Sequence, residues 1–182
     1  MRSDKAALRF GLRPQLEEAF ALAAAVTEGA FISVRADQAD DPLRARFPQV
    51  VDGPIGAGPI AGIAAAQARN PAAAWLVIAC DLPYLDGATL AELLAGRDPA
   101  RVATAFRSAG DGLPEPLCAI YEPASGPAIL SYITAGGACP RKFLLTQEPC
   151  LLDATNARAL GNANTPQDLA AARAALARRG VA

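Results

Sequence analysis

The sequence contains no histidine. That absence removes Ser/His/Asp hydrolysis, Cys/His proteolysis and His-ligated zinc chemistry, and leaves carboxylates, lysine, arginine, amides or a bound metal to carry any reaction. Charge of one sign is not in excess either. The 17 basic and 18 acidic side chains give a net charge of −1, which argues against a surface built to neutralise nucleic-acid phosphates. The four cysteines, Cys80, Cys118, Cys139 and Cys150, include no C-x-x-C pair, so neither a thiolate metal site nor a redox motif is indicated. They read as reduced, mostly buried thiols of a cytoplasmic protein. Long hydrophobic runs are lacking too: the longest strictly apolar stretch, Ala72 to Cys80, falls far short of the roughly 20 residues that cross a bilayer. The charged first residues lead into no apolar segment of the signal-peptide kind. A soluble protein with no nucleic-acid or membrane partner is expected. With no internal repeat or low-complexity linker, 182 residues suggest one domain able to bury a core without disulfide or metal staples.

What is present alternates between helix and strand signals. Pro14-Gln15-Leu16 opens a helical pattern with Leu16, Ala19, Phe20 and Ala23 on one face, ending near Glu28-Gly29. Phe31 to Val34 and Val50-Val51 have strand character, and Ile60, Ile63, Ala64 and Gln67 share the face of a helix between Pro59 and the next strand. Trp75 to Cys80 is continuously apolar, as in a central strand covered on both faces, and stops at Asp81. Asp86 is a candidate N-cap for a helix carrying Leu90, Leu93 and Leu94. Strands follow at Val102 to Phe106 and Leu117 to Tyr121, then a helix after Pro123, a short helix over Arg141 to Leu145 and a short strand at Leu151-Leu152. Thr165 as N-cap, Pro166 at the first helical position and the stripe Leu169, Ala172 and Leu176 predict a last helix. The alternation implies an open α/β sandwich, largely parallel.

In such folds ligands sit beyond the carboxyl ends of the strands. Asp52, Asp81 and the pair Asn162 and Asn164 occupy such positions. Asp81 has two readings: a carboxylate at the end of a wholly apolar strand that takes a cationic or metal partner, or a cap for the turn before Leu82-Pro83, since aspartate is common after strands. The stretch Gly53 to Gly62 has two readings as well: a loop that lets backbone N–H groups approach a ligand, or a tight strand-to-helix connection. It is neither a G-x-x-x-x-G-K-[ST] loop nor a G-x-G-x-x-G fingerprint. Lys5 taken alone reads as a solvated charge.

Taken in order, Asp4-Lys5-Ala6-Ala7-Leu8, Gly58-Pro59-Ile60-Ala61-Gly62, Ala79-Cys80-Asp81-Leu82-Pro83-Tyr84, Glu115-Pro116-Leu117-Cys118 and Asn162-Ala163-Asn164-Thr165-Pro166 resemble the MobA-like nucleotidyltransferases over nearly the whole chain. The resemblance implies a Rossmann-like three-layer α/β/α nucleotidyltransferase fold with a mostly parallel sheet. It implies transfer of GMP from GTP to the terminal phosphate of Mo-molybdopterin with release of pyrophosphate, Mg²⁺ as cofactor, and molybdoenzyme-maturation partners. Position by position, Lys5 matches the lysine closing the family's phosphate loop, where it balances charge on the leaving pyrophosphate. Asp52 matches an aspartate that helps hold the nucleotide, and Asp81 the metal-binding aspartate. Gly58, Pro59 and Gly62 match the loop and helix entry beside the nucleotide, and Asn162 and Asn164 the asparagine pair near the transfer site. Arg141 and Lys142, from charge alone, fall where a basic pair would contact the pterin phosphate.

Three departures accompany the match. The family begins with a strand and a glycine-rich loop before the Asp-Lys pair, so residues 1–182 are expected to form a single domain lacking that first strand and phosphate loop. Arg2 stands where the loop usually has glycine, and Arg35 about where guanylyltransferases often place asparagine. These leave two alternatives open: use of CTP or another NTP, with molybdopterin or a sugar phosphate as acceptor, or a non-catalytic nucleotide-binding module.

Overall fold

The computed structural model describes residues 5–9, 13–53, 56, 58–163, 168 and 170. A 3-10 turn over Lys5–Ala7 precedes helix α1 (Gln15–Ala24). The helix ends sooner than its apolar spacing suggests. The Thr27 hydroxyl donates to the Ala23 carbonyl at 2.8 Å and the Val26 N–H to the same oxygen at 3.1 Å, so the last turn closes on a side chain and winding stops.

Strands β1 (Ile32–Val34) and β2 (Gln49–Val51) pair in parallel, Ser33 opposite Val50 and Val34 opposite Val51. Helix α2 (Pro59–Arg69) then crosses to β3 (Trp75–Ile78), and α3 (Gly87–Ala95) follows. Asp86 caps α3 as expected, its carboxylate accepting from the Thr89 N–H at 2.9 Å. Next come β4 (Ala103–Arg107), β5 (Pro114–Tyr121), α4 (Ser125–Thr134), α5 (Pro140–Thr146) and β6 (Cys150–Leu152). A 3-10 turn at Ala157–Leu160 leads to Gly161 and Asn162. The last-helix signals at Thr165, Pro166, Leu169, Ala172 and Leu176 lie outside the described residues, while Asp168 and Ala170 are helical.

The larger sheet has the order β3-β5-β4-β6. Strands β3, β4 and β6 share one direction, and β5 alone runs against both its neighbours. Alternate residues of the central pair face opposite layers. Ala103, Ala105, Ala119 and Tyr121 pack under Ile60 and Ile63 of α2, Ile129 of α4 and Phe143 of α5. Phe106, Cys118 and Ile120 pack under Leu90 and Leu93 of α3 and Leu22 of α1. Helices therefore cover both faces, giving three layers.

A second expectation is corrected. Trp75 to Cys80 predicts a strand covered on both faces, but β3 is only half-buried along its whole length. Among the described residues it pairs with β5 alone, and a groove of about 710 Å³ runs beside it, lined by Phe31, Trp75, Leu76, Leu94 and Ile120 among others. No helix among the described residues is long and apolar enough to cross a membrane.

Candidate active site

The first cluster grows from the end of the two-stranded sheet. The Asp52 N–H donates to the Val34 carbonyl at 2.8 Å, continuing the parallel ladder one step beyond β2. This places the Asp52 side chain beside Ser33, whose hydroxyl donates to Asp52 Oδ1 at 2.7 Å. Helix α2 sits directly on the pair: a methyl at Gly62 would overlap the Ser33 hydroxyl and come within 3.2 Å of Asp52 Oδ1. The entry to α2 also needs glycine. Gly58 has φ 64 and ψ −156, a region open in practice to glycine alone, and Pro59 then starts the helix with its missing N–H where none is required. Nearby, Arg35 grips Asp37 through two bonds of 3.0 and 2.9 Å. That hydrogen bond raises the guanidinium further above its already high ordinary value and holds the Asp37 carboxyl below the usual range.

The second cluster lies beyond β3. A cavity of about 110 Å³ is lined by Ala79, Leu82, Glu115 to Cys118, Arg141, Leu160 and Asn162. The reversal of β5 brings its first residues here, against the end of β3, where the Ala79 N–H donates to the Leu117 carbonyl at 2.7 Å. Asp81 is half-buried, and its carbonyl accepts from the Ala163 N–H at 3.1 Å, so the segment holding Asn162 is laced to the Asp81 turn. Burial, helped by the negative charge of Glu115, pushes the Cys118 thiol up to about 12, so that it stays protonated at neutral pH and is a poor nucleophile. Cys118 should stay unmodified by iodoacetamide at about pH 8 in the folded protein and react only after denaturation. Peptide mass spectrometry reads this directly, and labelling of the native protein would contradict its burial.

Between the clusters lies the 3-10 turn headed by Lys5. Its buried Ala6 packs with Val34 at the end of β1 and with Cys80, next to Asp81. The turn is held from below, since the Gln15 N–H donates to the Leu8 carbonyl at 2.7 Å and the Gln15 amide to the Leu82 carbonyl at 3.3 Å. The backbone of Lys5 thus adjoins a residue that packs in one cluster with Val34, whose carbonyl accepts from the Asp52 N–H, and with Cys80, the neighbour of Asp81; the Lys5 side chain lies outside the described residues.

Residues 1–151 match the family described as the MobA-like NTP transferase domain. The chain belongs to this family. It is 32% identical over 168 residues to a molybdenum cofactor biosynthesis bifunctional protein of Synechocystis sp., covering 92% of this chain and 48% of that one. It is 34% identical over 115 residues to a probable molybdenum cofactor guanylyltransferase of Nostoc sp., covering 62% of this chain and 55% of that one. The chain thus spans about half the length of the curated relatives it matches. Among solved structures, molybdopterin-guanine dinucleotide biosynthesis protein A of Archaeoglobus fulgidus superposes with a TM-score of 0.81 at 20% identity, over 97% of this chain and 92% of that one. The 2-C-methyl-D-erythritol 4-phosphate cytidylyltransferase of Thermus thermophilus does so with 0.70 at 19% identity, over 96% and 94%. The fold is that of the nucleotidyltransferases, an α/β/α sandwich with a mostly parallel sheet.

Within this MobA-like frame, Asp52, Gly58, Pro59 and Gly62 form one group and Asp81, Asn162 and Arg141 another. Asn164 lies outside the described residues. Arg141 reaches the cavity with its charge already balanced, its two terminal nitrogens lying 3.0 Å from Asp111 and 3.1 Å from Glu115. Lys142 is exposed beside it. Sequence reasoning assigned no role to Ser33, a polar residue on the open face of a strand, nor to Glu115, which stood within a quoted motif. It also passed over Arg158, whose guanidinium lies 4.4 Å over the Tyr84 ring, close to Asn162 and on the chain that leads to it.

Proposed function

We propose that the protein transfers GMP from GTP to the terminal phosphate of Mo-molybdopterin, releasing pyrophosphate, in the cytoplasm. The observation that carries this reading is the turn of Lys5, whose Ala6 shares an apolar cluster with Val34, the carbonyl partner of the Asp52 N–H, and with Cys80, the neighbour of Asp81. The names borne by the relatives fit it. None of the four cysteines forms a disulfide, which suits a reducing compartment.

The roles follow from the chemistry. Asp52 accepts from the nucleotide's hydroxyl or amine donors, Gly58 and Pro59 keep the entry to α2 open for the nucleotide, and Gly62 beside them lets the helix close on Ser33 and Asp52. Lys5 balances the charge of the departing pyrophosphate. Asn162 and Asn164 orient the acceptor near the transfer point, and Lys142 beside Arg141 adds positive charge on the acceptor side. The attacking phosphate monoester has a second pKa of about 6 and is largely ionised at neutral pH, so positioning and charge neutralisation replace proton removal. A chain without histidine lacks nothing that this reaction needs.

Among the described residues no three carboxylate or thiolate groups converge as a metal cage. That fits Mg²⁺, which is usually held by one or two carboxylates together with substrate phosphates and water. Asp81 would hold it, and the ion supplies neutralisation of the reacting phosphate oxygens.

The test is pyrophosphate release from Mg²⁺, molybdopterin and each NTP in turn. GTP should give the fastest release. A preference for CTP would favour the second reading, which Arg35 and the likeness to a cytidylyltransferase fold keep alive. Binding of NTP without pyrophosphate from any of them would leave a binding module.

A further inference from the structure

We propose that Ser33 is a positioning residue for the nucleotide, holding the Asp52 carboxylate in one orientation beneath a helix that only glycine at position 62 allows to come so close. The inference rests on the reading of Asp52 as a nucleotide contact. Its grounds are geometric. The backbone of Asp52 is already fixed by its N–H bond to the Val34 carbonyl, but two side-chain torsions would remain to be set. The Ser33 hydroxyl sets them by donating to Oδ1 at 2.7 Å. Oδ2 has no hydrogen-bond partner among the described residues, and the side chain is half-buried rather than sealed. One oxygen is thus committed to the protein and the other is left for a donor on a ligand.

The residues around the pair show why the contact is rigid. Ile32 and Val34, on either side of Ser33, are buried beneath the sheet, so the strand that carries the hydroxyl cannot tilt. Glycine within a helix is a poor helix former, and here space accounts for it. A methyl at Gly62 would overlap Ser33 Oγ and stand 3.3 Å from Ser33 Cβ and 3.2 Å from Asp52 Oδ1. Strand, loop and helix therefore meet at one charge-assisted hydrogen bond, the stronger kind. A carboxylate ordered before the ligand arrives loses less freedom on binding.

The experiment measures Kd for GTP by calorimetry, together with the thermal midpoint, for the protein and for Asp52→Ala, Ser33→Ala, Gly62→Ala and the Ser33→Ala/Gly62→Ala double variant. Ser33→Ala should weaken GTP binding by roughly tenfold with the midpoint little changed, because the lost bond is exposed. Gly62→Ala should weaken it to a similar extent by driving the hydroxyl off the carboxylate. The double variant should be no more than about twofold weaker than either single one, since the overlap disappears with the hydroxyl. GTP binding by Ser33→Ala equal to that of the parent, with Asp52→Ala clearly weakened, overturns the inference and leaves the reading of Asp52 standing. Unaltered binding by Asp52→Ala overturns that reading itself. Should Gly62→Ala fail to fold, the comparison of Ser33→Ala with Asp52→Ala still decides.

Discussion

Asp81→Ala should lower pyrophosphate release from GTP and molybdopterin by about 10³-fold or more while the protein keeps its thermal midpoint and circular dichroism. The size follows from removing a charge that acts on the reacting phosphate in a partly enclosed site, where single electrostatic contacts are worth factors of 10²–10³ and a lost metal site more. The fold should survive because the bond that laces the Asp81 turn to Ala163 runs through the Asp81 carbonyl, which alanine retains. Lys5→Ala, measured beside it, should slow release strongly without matching that loss. Turnover by Asp81→Ala at the parent rate would remove aspartate 81 from the metal assignment altogether.

Arg97→Ala should produce a large change in stability rather than in chemistry. Glu122 follows β5, and its side chain is 2% exposed while that of Arg97 is 40% exposed. The pair is forked, Arg97 Nε to Oε1 at 2.6 Å and Nη2 to Oε2 at 2.8 Å, a geometry suited to guanidinium and carboxylate. Glu122 cannot swing out to water when the arginine goes. Its N–H donates to the Val102 carbonyl, and its carbonyl accepts from the Ser125 N–H and from the Gln67 amide. Breaking a buried pair from one side costs about 3–5 kcal/mol; with Arg97 partly solvated, about 2–3 kcal/mol is the sounder expectation. For a chain of this size that is a fall of roughly 6 °C in the thermal midpoint. Adding Glu122→Gln to Arg97→Ala should recover part of the loss by removing the stranded charge. A scanning calorimeter shows either result, and an unchanged midpoint for Arg97→Ala would mean that the carboxylate finds water.

Much of this architecture was legible because it is written in neighbouring residues. Asp86 caps α3 through a partner three positions away, and the alternation along β4 and β5 tells which residues face which layer. The early end of α1 was less so, since the Thr27 hydroxyl competes for a carbonyl that the apolar spacing ignores. Apolarity of Trp75 to Ile78 said correctly that a strand is there, but not which neighbours it meets, and β3 proved half-buried. The site shows the same division. Asp52 and Asp81 stood out as carboxylates after strands. Ser33 did not, because nothing local distinguishes a bonded serine from a solvated one. Arg141 read as available charge because its two carboxylates come from Asp111 and Glu115, distant in the chain.

The reversed strand β5 has a consequence for how such a protein can diverge. The hairpin joining β4 to β5 is closed by the Ser108 N–H to Leu113 carbonyl bond at 2.8 Å, and its tip at Gly110 and Gly112 is exposed. Reversal puts that tip at the same edge as the cavity, tied to α5 by Arg141 through Asp111. Exposed tips of this kind accept added residues more readily than any ladder does. Insertions there would reshape the wall of the cavity that Arg141 and Glu115 line while leaving β1, β2 and α2 as they are, so the two clusters of the proposed site could diverge separately.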